Sequence, residues 1–158
     1  MRKKQNKTLI LITILIITTL IITSCTQDEN NDVTKEIIEQ DDRAQKIKIY
    51  YFWGLGCPRC DAQEPFMDYI EQKYDEIKII RLEIHENEEN RELFEKLSYA
   101  YGERPSGAPV TFIGEKYPFV GFGSEDTTGK LIEKRIQQCI ENECKNPLDV
   151  VKEQEAEN

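Results

Sequence analysis

Basic charge, histidine and a full-length apolar span are what this 158-residue sequence has least of. It holds 21 Lys and Arg against 30 Asp and Glu, for a formal net charge of −9. Four of the basic residues (Arg2, Lys3, Lys4, Lys7) lie in the first 24 positions, which carry no acid. The remainder is therefore more acidic still, near a net of about −13 by formal counting. Such a surface repels nucleic-acid phosphates and anionic lipid headgroups, so nucleic acid is not an expected partner. His85 is the only histidine and Trp53 the only tryptophan. Catalysis that shuttles protons through several imidazoles is thus out of reach. The length suits one compact domain and leaves little room for a second.

The apolar stretch from Leu9 to Ile22 falls short of the roughly 20 apolar residues a transmembrane helix needs, and it contains threonines. It stops at Ile22-Thr23-Ser24-Cys25, which resembles a bacterial-type lipobox: an aliphatic residue, two small residues and a cysteine. Residues 1–24 are then expected to be a signal peptide with this lipobox, and Cys25 the site of lipidation. The alternative is an uncleaved signal anchor. Either one holds the rest of the chain outside the cytoplasm and attached to a membrane. Residues 25–45, rich in Asp, Glu, Asn and Gln, read as a charged tether. Residues 145–158 read as a polar acidic tail that frays.

Between them, residues 46–144 carry the signals of one small α/β domain. Lys48 to Trp53 is a β-branched and aromatic strand, broken by Gly54-Leu55-Gly56. A helix starts at Cys57-Pro58, proline suiting the first helical position, with Phe66, Met67, Ile70 and Tyr74 along its inner face. Lys78 to Ile84 is a second strand. Glu88 to Tyr101, ended by Gly102, is a second helix. Val110 to Ile113 and Tyr117 to Val120 form a hairpin. Lys130 to Ile140 closes the domain, with Leu131, Ile132, Ile136, Cys139 and Ile140 on one side. The order β-α-β-α-β-β-α gives a parallel pair with a crossover helix and a final antiparallel hairpin, hence a four-stranded mixed sheet flanked by helices.

Five cysteines are an odd number, but the arithmetic closes: Cys25 takes lipid, Cys57 pairs with Cys60, and Cys139 pairs with Cys144. Cys57-Pro58-Arg59-Cys60 sits where a strand hands over to a helix. Unpaired amides and the positive end of the helix dipole stabilise an anion there. A thiolate in that position has a pKa of roughly 3.5 to 7. Arg59 adds a fixed positive charge nearby. Cys57 is thus the candidate nucleophile, and Cys60, one turn on, the residue that resolves a mixed disulfide. This chemistry needs no cofactor and no metal. Arg81 and Glu83 are candidates for the buried side of the site, whereas His85 reads as an ordinary exposed residue. A rival reading joins Cys139 and Cys144 to the first pair as a zinc site, or makes all four structural in a binding lipoprotein. An oxidising compartment favours a structural Cys139–Cys144 bridge.

The segment Tyr51-Phe52-Trp53-Gly54-Leu55-Gly56-Cys57-Pro58-Arg59-Cys60 resembles the active-site segment of the thioredoxin superfamily. Pro65 matches the proline that kinks that family's active-site helix, and Ala108-Pro109-Val110-Thr111 resembles its cis-proline loop. The resemblance covers about Lys46 to Glu143. It implies a thioredoxin-like fold in its minimal, glutaredoxin-like form and a thiol–disulfide oxidoreductase. It implies further that Pro109 is cis and faces the cysteine pair, and that the Ala108 backbone pairs with a bound polypeptide. Trp53, Pro58 and Arg59 complete the active-site rim. The partners implied are exported polypeptides bearing thiols or disulfides and a membrane redox partner that recycles the pair. Tyr51 stands where cytoplasmic thioredoxins carry a buried Asp. The Pro-Arg dipeptide resembles extracytoplasmic disulfide-forming members, which points toward donation or isomerisation. The alternative is a reductase of exported thiols, as in cytochrome c maturation.

Overall fold

β1, Ile47–Trp53, is β-branched or aromatic at every position but Lys48, and its middle is buried on both faces. The structure, a computed structural model, describes residues 46–157. The expected signal peptide, Cys25 and the tether lie outside the described residues. β1 pairs in parallel with β2 (Ile77–Glu83), from Ile47 opposite Ile77 to Trp53 opposite Glu83. Parallel neighbours need a crossover, supplied by α1 (Pro58–Lys73). α2 (Glu88–Ala100) follows, then β3 (Val110–Ile113), antiparallel to β1, and β4 (Phe119–Val120), antiparallel to β3. The sheet order is β2-β1-β3-β4. A π turn at Glu125–Gly129 leads into α3 (Lys130–Asn142), and α4 (Pro147–Glu157) ends the domain. This is the four-stranded mixed sheet flanked by helices that the order of the elements leads one to expect.

Side chains alternate across a strand, so β1 feeds two cores. Ile49 and Tyr51 point to the face covered by Phe66, Met67 and Ile70 of α1 and Ile132 and Ile136 of α3. Tyr50 and Phe52 point to the other face, against Phe94 and Leu97 of α2 and Phe112 of β3. The ends of α2 are locally determined. The Asn87 side chain accepts from the Asn90 amide at 3.0 Å, and Glu88 and Glu89 follow in the first turn. Gly102, at φ +71°, closes a Schellman motif in which its amide bonds Tyr99 and that of Glu103 bonds Ser98.

Three expectations are corrected. The segment expected to fray at residues 145–158 is ordered where it is described: Pro147–Glu157 is helical, and Leu148 and Val151 pack against the core around Tyr50 and Phe52. The Asn146 carboxamide accepts from the Leu148 amide at 3.0 Å, and Pro147 occupies the first helical position. Burial beneath this region pushes the Tyr50 phenol up to about 12, against a smaller lowering by its hydrogen bond to Asn146. Leu131 is 58 % exposed, because Ile132, Ile136 and Cys139, at i, i+4 and i+7, define the buried stripe and Leu131 falls outside it. The fourth strand shrinks to Phe119–Val120, since Pro118 has no amide to donate to a ladder. In addition, α1 stops at Lys73, and Tyr74 caps it while its hydroxyl bonds Glu133 of α3.

Cys139 and Cys144 are joined by a disulfide where α3 ends, with Glu143 turned back at φ 51°. The bridge packs against Gly114, where a built Cβ would lie 3.0 Å from Cβ of Cys144. Closing so short a loop stabilises the fold by about 2 kcal/mol in the chain-entropy account.

Candidate active site

The backbone between β1 and α1 brings the first cysteine to a helix end. Cys57 is the N-cap of α1, in extended conformation, and Pro58 takes the first helical position. Its sulfur accepts from the Cys60 amide at 3.2 Å, while its carbonyl accepts from Cys60 and Asp61 at 3.0 and 3.1 Å. Negative charge on that sulfur is stabilised by a first-turn amide and by the helix dipole. Cys57 and Cys60 are joined by a disulfide, with Cα atoms 5.2 Å apart. The two sulfurs are not equivalent: Cys57 is half-buried and Cys60 is 3 % exposed. A partner arriving from solvent meets Cys57.

The Ala108–Pro109 peptide bond is cis, and the Ala108 carbonyl oxygen lies 3.6 Å from the Cys57 sulfur. β3 and β4 hold this loop in place: Val110 pairs with Val120, and the Gly121 amide donates to the Pro109 carbonyl at 2.7 Å. Deeper in, Gln63 of α1 donates to the Thr111 hydroxyl at 2.9 Å, tying the cysteine-bearing helix to the strand that follows Pro109. Pro58 and Arg59 are exposed on the rim, and Trp53 is half-buried.

Behind the pair is a cavity of about 390 Å³ lined by Tyr51, Trp53, Cys60, Asp61, Glu64, Arg81, Glu83 and Asn90. Arg81, on β2, is held by three carboxylates of α1: Glu64 at 2.6 Å, Asp68 at 2.7 Å and Glu71 at 2.7 Å. The Tyr51 hydroxyl donates to the Cys60 carbonyl at 3.3 Å. Burial, reinforced by the charge of Glu64, pushes its phenol well above the ordinary value, so Tyr51 stays protonated. Desolvation works against the charge on Glu83, but the amides of Glu86 and His85 prevail and hold its carboxyl below the usual range. Sequence reasoning put Arg81 and Glu83 forward without placing them, and it missed Glu64. The one local signal for Glu64 is its i, i+4 spacing from Cys60, which puts both on one face of α1.

His85 does more than an ordinary exposed residue. Its Nδ1 lies 3.0 Å from the Leu55 carbonyl, and its ring covers Gly54 so closely that any Cβ there would run into the imidazole. It pins the loop before Cys57 to the end of β2.

The two cysteine pairs lie at opposite ends of β3. Ala108, beside Cys57, precedes Val110, and Gly114, beside Cys139 and Cys144, follows Ile113. The four sulfurs therefore cannot converge on one zinc ion, and the pairs cannot exchange electrons directly.

No family model and no curated protein matches the chain. Among solved structures, thioredoxin of Fasciola hepatica is similar at 18 % identity and a TM-score of 0.45, over 67 % of this chain and 90 % of that one. DsbF of MTB, in mixed oxidised and reduced forms, is similar at 13 % identity and a TM-score of 0.40, over 60 % of this chain and 81 % of that one. What the site can do follows from its own geometry, not from these likenesses.

Proposed function

We propose that the protein is a membrane-tethered, extracytoplasmic thiol–disulfide oxidoreductase that donates or isomerises disulfides in exported polypeptides. The observation that carries this reading is the placement of the Cys57 sulfur. It caps α1, is bonded to a buried partner sulfur, and lies beside the Ala108–Pro109 backbone. In donation, a partner thiolate attacks the Cys57 sulfur and the Cys57–Cys60 bond breaks. Cys60 leaves as thiolate and gains a proton, for which the cavity with Glu64 offers a polar route. A second partner thiolate then attacks its own sulfur in the mixed disulfide and expels Cys57 as thiolate, a form its N-cap position favours. Two electrons pass to the pair and the partner gains a disulfide. A membrane redox partner would take those electrons and close the cycle. The lipobox-like Ile22-Thr23-Ser24-Cys25 supports attachment by lipid on Cys25, and the oxidised Cys139–Cys144 bridge suits an oxidising compartment.

The test mixes oxidised protein with an equimolar, reduced reporter polypeptide carrying two cysteines, with no other oxidant. The expected result is a disulfide in the reporter and two new thiols on the protein. Should only the reverse transfer proceed, the protein is the alternative reductase. Transfer in neither direction would overturn the reading.

A further inference from the structure

Arg59 is the only basic residue of the Cys57–Cys60 segment, and it is exposed. The chain carries 30 acidic residues, yet no ion pair of the described residues engages Arg59. Asp61 and Glu64, its near neighbours in sequence, line the cavity behind Cys60, and Glu64 is committed to Arg81. The guanidinium instead reaches over Gly121: a Cβ built there would come within 3.4 Å of Nη1. Gly121 is bonded to Pro109, and Ala108 adjoins the Cys57 sulfur. Val120, next to Gly121, leaves 56 % of its surface exposed. An uncommitted cation thus stands against the same backbone that a partner must approach to reach Cys57.

A guanidinium is a planar fork matched to carboxylates, and a charge-assisted pair at a partly desolvated contact is stronger than one in open solvent. We propose that Arg59 sets partner specificity, engaging a carboxylate next to the reactive cysteine, so that the preferred substrates are polypeptides whose cysteine has an acidic neighbour. This inference rests on the exchange reading above. It also carries a contrast in sign. The acidic surface as a whole repels acidic partners, so a carboxylate helps only beside the cysteine and hinders when placed well away from it.

The experiment compares exchange rates of the purified protein with cysteine peptides that differ only in the residue beside the cysteine: Glu, Gln or Lys. A fourth peptide carries its Glu at a distant position, the protein is used with Cys57–Cys60 oxidised, and 2-mercaptoethanol serves as an uncharged thiol probe. The wild type should prefer the Glu-neighbour peptide over the Gln peptide by about fivefold, shrinking as salt rises. The distant Glu should give no gain. Arg59→Gln should abolish the preference, Arg59→Lys should keep part of it, and Arg59→Glu should reverse it. A change confined to Cys57 reactivity would move every peptide and the uncharged probe by one factor. An unchanged Glu-to-Gln ratio in Arg59→Gln would overturn the inference while leaving the exchange reading intact. No exchange with any peptide or with the uncharged probe would remove both.

Discussion

Serine in place of Cys57 will bring disulfide exchange down to the uncatalysed background, a loss at least on the order of a thousandfold. Serine cannot form the disulfide through which electrons pass, yet it is a good N-cap residue, so the first turn of α1 keeps its cap. The domain should stay folded, and the lost activity is then chemical in origin. Cys60→Ser should behave differently. A partner that has reacted with Cys57 finds no internal sulfur to displace it, because Cys60 supplies the sulfur that pairs with Cys57. Covalent partner adducts should accumulate on Cys57, appear as added mass and disappear on treatment with a small dithiol. Full turnover by Cys57→Ser would contradict the roles given to the pair.

A second large effect is expected far from solvent. Phe52 is fully buried, with its ring 5.2 Å from Phe94 and 5.7 Å from Phe112. In the sheet it lies opposite both Leu82 and Val110. Phe52→Ala removes this shared contact and leaves a cavity between the sheet and α2, costing about 3–5 kcal/mol. Typical domains hold only about 5–15 kcal/mol in total, so the variant should unfold at markedly lower denaturant. Leu131→Ala, at a surface position of α3, should change stability by no more than about 0.5 kcal/mol. Denaturant titration of both variants checks the contrast. Similar midpoints would mean that the core is wrongly assigned.

What could be read in advance was what is local. β1 is continuous in the chain, the Cys57–Cys60 turn is punctuated by Gly56 and Pro58, and Gly102 marks the end of α2. Such features depend on neighbours a few residues away, and each emerges in the structure. α4 was not legible, because only Leu148 and Val151 face the core in a segment otherwise dominated by charge and amide. Its helicity comes from docking beside Tyr50 rather than from a strong periodic pattern. The cavity behind Cys60 was equally hidden, since Tyr51, Glu64 and Arg81 come from three elements that only the parallel crossover brings together. His85 shows the same limit: its contact with the Leu55 carbonyl spans 30 residues. Leu131 shows the converse error, an apolar residue assigned to the core on its chemistry although its angle around α3 faces solvent.

If Cys57 and Cys60 form a reversible redox pair, a thiol/disulfide titration followed by fluorescence will show it. Trp53 is the sole tryptophan and shares the cavity wall with Cys60, whereas Cys139–Cys144 lies at the far end of β3. Its emission should therefore report the first pair and not the second. One two-electron transition is expected, roughly between −120 and −180 mV for a disulfide donor and near −270 mV for a reductase. The same transition should be lost in Cys60→Ser. Emission that stays constant from fully oxidising to fully reducing buffer, with Cys57 and Cys60 unchanged in thiol content, would contradict it.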